Sequence, residues 1–72
     1  MWEQGNMGNY YYWVKHYPNG SHFGINNGRI SKLCIRKVGS NIDLVNYDRG
    51  WDIKPEGDEV MAVYEQLIEK YN

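Results

Sequence analysis

Two groups of side chains in this 72-residue sequence are of types that recognise or react. The first is Tyr47-Asp48-Arg49-Gly50-Trp51-Asp52, which gathers two acids, an arginine and two aromatics within six residues. Trp, Tyr and Arg dominate interface energetics because each brings a large contact area or several hydrogen bonds. Tyr47, Asp48, Arg49, Trp51 and Asp52 are therefore the first candidate partner-binding set. The same residues also suit a plain structural corner: Asp48 caps a turn, Gly50 takes a positive φ, Arg49 pairs with an acid, and Trp51 plugs the core. The second group is Arg29, Lys32, Arg36 and Lys37, with Tyr11 and Trp13 on a neighbouring extended segment. Together they would make a basic, aromatic surface able to stack bases and hold phosphates. The alternative is a solvated outer face that discourages edge pairing. A net charge of −1 favours that alternative, since nucleic-acid binders carry a positive excess.

Other chemistry is thinly represented. His16 and His22 flank a turn with no partner at a useful spacing, and the single cysteine, Cys34, reads as a small buried hydrophobe. No Cys/His set has zinc-ligand spacing, no Gly-rich loop opens a helix, and no nucleophile–base pair stands out. Neither an enzyme nor a metal or cofactor is expected. One cysteine excludes an internal disulfide, so packing alone must hold a chain that buries only about 60–65% of its unfolded surface. Seven Tyr, three Trp and one Phe are the compensation, because each aromatic buries a large area.

No apolar run is long enough to span a membrane, and Met1 to Asn9 has neither the basic start nor the apolar stretch of a signal peptide. A cytoplasmic setting is the expectation. The charges are unevenly placed: residues 1–40 hold five cations and one acid, a balance of +4, whereas residues 41–72 hold three cations and eight acids, a balance of −5. The surface is either polarised or neutralised where the halves meet.

These groups need a scaffold, and the sequence supplies extended segments followed by one helix. Residues 1–8 are polar and read as a flexible tail, with 9–72 the single domain. Asn9 to Tyr17 is aromatic and β-branched, hence a strand. His22 to Ile25 reads as a second short strand, joined through Asn26-Asn27-Gly28, an Asn-Gly hairpin signal, to a third from Arg29 to Val38. Ile30, Leu33 and Ile35 share a face only if a bulge interrupts the third strand near Ser31-Lys32. Gly39-Ser40-Asn41 turns into a fourth strand, Ile42 to Tyr47. From an N-cap at Asp58, Val60, Val63, Tyr64, Leu67, Ile68 and Tyr71 recur at helical spacing opposite Glu65, Gln66, Glu69 and Lys70. The predicted fold class is α+β: a twisted antiparallel sheet of about four strands (β-β-β-β-α) with one C-terminal helix packed on one face. The strand Asn9–Tyr17 would be an edge, open to pairing in a homodimer.

Three stretches, Gly24-Ile25-x-x-Gly28-Arg29-Ile30-Ser31-Lys32-Leu33-x-Ile35-Arg36, Asn46 to Asp52, and Glu69-Lys70-Tyr71-Asn72, resemble a family of short uncharacterised proteins of bacteriophages and mobile elements of Gram-positive gut bacteria. That family is a domain of unknown function, and the resemblance covers roughly residues 10–72. It implies a small stand-alone cytoplasmic protein and brings no site residues with it. The functional expectation is a non-enzymatic interaction module that docks a sheet face or the 47–52 corner on a larger host or mobile-element protein. An anti-defence inhibitor of the anti-CRISPR kind is its sharper form. The alternative is a nucleic-acid-binding accessory protein using the basic, aromatic set.

Overall fold

The computed structural model describes residues Met1–Asn72. Five strands, β1 (Trp2–Met7), β2 (Tyr10–His16), β3 (Ile30–Lys37), β4 (Asp43–Asp48) and β5 (Trp51–Ile53), precede one helix, α1 (Asp58–Tyr71). The strands form a single antiparallel sheet in chain order, and α1 packs on one face of it. The class is α+β, with five strands where about four were expected.

Residues 2–7 are not a flexible tail but the edge strand β1, paired with β2 from Trp2 opposite Lys15 to Met7 opposite Tyr10. The device is the two-residue loop Gly8-Asn9: Gly8 has φ +62, at the loop position where a tight hairpin demands positive φ. With β1 in place, β2 is interior, so the expected edge at Asn9–Tyr17 is already paired on both sides. Self-pairing of two copies would have to use an edge strand, Trp2–Met7 or the short Trp51–Ile53.

The expected strand at His22–Ile25 is absent. That segment is a compact loop ending in one 3-10 turn, Ile25–Asn27, which delivers Ile25 into the core. Asn26 and Asn27 do take positive φ (53° and 61°), as Asn tolerates, but within this turn and not in a two-strand hairpin. The loop closes on itself through Ser21 N–H to Gly28 O (3.1 Å) and Gly28 N–H to Ile25 O (2.8 Å). A Cβ at Gly24 would collide with the Gly28 backbone, so the loop requires glycine there.

The bulge expected near Ser31-Lys32 is present. Lys15 faces Lys32 while His16 faces Ile30, leaving Ser31 unpaired and restoring Ile30, Leu33 and Ile35 to the buried side. Two further irregularities follow, one at Leu44 between the Ile35–Val45 and Arg36–Asp43 pairs, the other at Asp52. The core is one layer: Tyr12, Val14, Leu33, Ile35, Val45 and Tyr47 from the sheet meet Val60, Val63 and Leu67 from α1. The helix spans the predicted residues, but its N-cap is Gly57 and Asp58 is its first residue. Asp58 and Glu59 there complement the helix dipole without capping it. No helix of the chain is long and apolar enough to cross a membrane.

Candidate functional site: the uncovered face of the sheet

One helix covers one face, so the other face is left bare. Cross-strand register arranges the bare face in three rows: Trp2–Lys15–Lys32–Asp48, Gln4–Trp13–Cys34–Asn46 and Asn6–Tyr11–Arg36–Asp43. Strand alternation alone puts Tyr11, Trp13 and Lys15 on this side. The last row needs the bulge: strict alternation back from Asn46 would turn Asp43 towards α1, and the extra residue Leu44 brings it round to face Arg36.

The Asp43 carboxylate is the electrostatic hub. Arg36 Nε donates to Oδ1 at 2.6 Å, Cys34 Sγ to the same oxygen at 3.2 Å, and Asn46 Nδ2 to Oδ2 at 2.9 Å. These donors stabilise the ionised form, Arg36 foremost and Asn46 next, and hold its pKa below the usual carboxylate range. Burial, followed by the bond to Asp43, pushes the Cys34 thiol up to about 11, so it stays protonated at neutral pH. Cys34 is thus not the small core hydrophobe expected from its type, but a half-buried donor on the bare face. The Arg36 guanidinium lies 5.1 Å from the Trp13 ring centroid, and Trp13 meets Tyr11 edge-on at 4.7 Å. Tyr11 Oη donates to Gln4 Oε1 at 2.9 Å, tying the aromatic patch to β1. A shallow depression of about 410 Å³ runs between Trp2, Trp13, Arg36 and Asp48.

The structure divides both candidate sets. Of the first, Tyr47 is buried, its hydroxyl donating to Phe23 O at 2.8 Å. Trp51 is half-buried between Tyr47 (5.0 Å) and Tyr64 of the helix (5.7 Å). Neither Tyr47 nor most of Trp51 is free to meet a partner; only Asp48, Arg49 and Asp52 are exposed. The positive φ of this corner falls on Arg49 (+55), not on Gly50, and Arg49 pairs with no acid. Of the second set, Tyr11, Trp13, Lys32 and Arg36 share the bare face. Lys37 belongs to the helix-side row opposite Tyr10, and Arg29 precedes β3, its carbonyl accepting the Tyr17 N–H at 3.0 Å.

Sequence reasoning missed Asp43, Asn46 and Trp2. The first two depend on a bulge with no local signature. Trp2 was findable, because Gly-Asn at positions 8 and 9 is a hairpin-loop dipeptide that would have added its strand. No cluster of three or more His, Cys, Asp or Glu is placed to hold a metal ion.

No curated protein and no solved structure matches the chain. A family model does match, and over residues 1–72, so the likeness includes the first nine residues that the recognisable motifs left out. The chain belongs to that family, described as a domain of unknown function (DUF7678).

Proposed function

We propose that the protein is a non-enzymatic docking module that binds a larger protein through the bare face of its sheet. The observation that carries this reading is the Trp13–Arg36–Asp43 arrangement: an aromatic and arginine surface left without cover, its central charge already neutralised from within. Trp, Tyr and Arg are the residue types that anchor interfaces, and a prepaired Arg–Asp couple lowers the desolvation cost of covering it. The protonated Cys34 and the saturated Asp43 also argue for recognition over catalysis. The docking surface is therefore the face, with Asp48 at its margin, and not the 47–52 corner as a unit.

Affinity capture with the tagged protein from nuclease-treated host lysate tests this. A partner retained by the wild type and lost by Trp13→Ala and Trp2→Ala is the expected result; undiminished capture by both variants would sink it. The family resemblance extends the reading to a cytoplasmic phage or mobile-element protein that blocks a host defence nuclease. Phage survival in a defended host, with and without the protein, tests that extension.

A second reading is favoured by one observation: Tyr11, Trp13, Lys32 and Arg36 lie together on the open face. That set could hold single-stranded nucleic acid by stacking and phosphate contact. Against it, Asp43 already pairs with Arg36 at 2.6 Å, which takes that guanidinium away from a phosphate. Loss of every captured partner on nuclease treatment, with affinity falling steeply in salt, would move the assignment there.

A further inference from the structure

A second cleft, of about 410 Å³, lies where β2 and β3 meet the 17–24 loop, and its chemistry differs from that of the sheet centre. Lys15, Lys32 and Arg49 line it together with the hydroxyl residues Ser21 and Ser31. Lys15 and Lys32 stand directly opposite each other across β2 and β3, an arrangement of like charges that disfavours the pairing. The third cation arrives on a strained residue: Arg49 holds φ +55, although glycine is the residue that takes this conformation freely. Its N–H donates to Ser31 O at 2.9 Å, which pins it against the bulge.

Little in the chain neutralises this cluster. Lys15 and Arg49 have no acid partner; their cationic groups lie over rings instead, Lys15 5.6 Å from both Trp2 and Tyr17 and Arg49 5.9 Å from Phe23. The single acid in reach is Asp48, which pairs with Lys32 Nζ at 3.7 Å but is exposed, and so solvated a pair neutralises the lysine only weakly. The hydroxyls suit an acceptor ligand. Ser21 Oγ already accepts the Phe23 N–H at 3.2 Å, which leaves its O–H to donate outward. Backbone strain and like-charge opposition are costs that functional sites carry.

We propose that this cleft is a binding site for a phosphate-type oxyanion borne by a small molecule, with Lys15, Lys32 and Arg49 supplying the charge and Ser21 and Ser31 the hydroxyl donors. A small ligand suits the cleft better than a polynucleotide. The cationic character stops at its rim, since the next arginine along the face, Arg36, is taken by Asp43 at 2.6 Å. No track for successive phosphates continues from it. The inference does not depend on the docking reading: of the bare face the cleft takes only Lys15 and Lys32, at one end, and none of Tyr11, Trp13, Arg36 or Asp43.

The test is an amide-resolved NMR titration with inorganic phosphate and then pyrophosphate at low ionic strength. Saturable shifts at Ser21, Ser31 and Arg49 are expected, with pyrophosphate the tighter. Lys15→Gln and Arg49→Gly should each weaken pyrophosphate binding about tenfold, the loss of one charge-assisted contact. Neither variant should melt below the wild type, since one removes a like-charge opposition and the other relieves the positive φ. A merely structural role for these residues would lower the melting temperature instead. Trp13→Ala should leave pyrophosphate binding intact, which keeps this test separate from that of docking. Absence of saturable shifts at millimolar ligand, or undiminished binding by Arg49→Gly, would overturn the site. Displacement of pyrophosphate by lower concentrations of a single-stranded oligonucleotide would overturn the small-ligand assignment.

Discussion

Arg36 and Asp43 are cross-strand partners whose side chains meet at 2.6 Å, a contact made possible by the extra residue Leu44. Because Arg36 and Asn46 hold the Asp43 pKa below its ordinary value of 3.8, the folded state releases this proton more readily than the unfolded chain does. The resulting stabilisation is complete above the unfolded pKa and disappears as pH falls through the lower folded one. The melting temperature should therefore drop as pH is taken below about 4. Asp43→Asn should be less stable than the wild type at pH 7 and lose part of that acid dependence. An acid limb of unchanged slope in the variant would show that the pair contributes nothing.

Cys34 offers a reading of the same cluster through reactivity. With its pKa raised from 9.0 to about 11, the folded thiol at pH 8 is about one part in a thousand thiolate, against roughly a tenth at the unshifted value. A disulfide reagent should consequently react about a hundredfold more slowly with the folded protein than with the protein in denaturant. Asp43→Asn removes the neighbouring anion and should speed the folded reaction. Equal rates in folded and unfolded protein would place Cys34 in the open.

Leu67, in the C-terminal half of α1, is fully buried against the apolar residues of the sheet. Leu67→Ala should cost about 2–5 kcal/mol. A domain of this length has about 4–11 kcal/mol in total at the usual stability per residue. Thermal unfolding followed by circular dichroism should show a large fall in midpoint, and an unchanged midpoint would contradict the packing of α1 on the sheet.

Asn72 locks the loop to the helix end: its Oδ1 accepts the Ile30 N–H at 2.9 Å and its Nδ2 donates to Ile25 O at 3.0 Å. Gly28 lies directly against this amide, and a Cβ there would collide with it. Gly28→Ala and Asn72→Ala should each cost about 1–3 kcal/mol through the same lost bonds. The double variant should then cost clearly less than their sum, since the collision vanishes with the Asn72 side chain. Strict additivity in denaturant unfolding would disprove the lock.

The helix was legible to within one residue at its cap because six apolar positions recur at its period, a signal set by α1 alone. The Ser31 bulge was legible for a related reason, since Ile30 and Leu33 could not otherwise share the core. What escaped depended on partners distant in sequence. His22 to Ile25 has strand-like residues, yet the tight approach of Gly24 to Gly28 folds it back on itself. Trp2 to Met7 has weak strand propensity and becomes a strand because β2 offers it a ladder. The candidate face was half legible: alternation grouped Tyr11 with Trp13, whereas the Leu44 bulge that supplies Asp43 is a tertiary outcome. Tyr47 and Trp51 were attractive as binding residues by type, and the same aromatic bulk drew them under the helix.

Every strand of this sheet hydrogen-bonds to its neighbour in the chain, from β1 through β5. Except for β2 and β3, which residues 17–29 connect, these pairings close short loops, whose entropic cost is small, and they keep the mean sequence separation of contacts low for a sheet protein. Hairpins can form one at a time, each offering the next strand a ready template, until α1 seals the apolar side. The chain should accordingly fold fast for a β-rich domain.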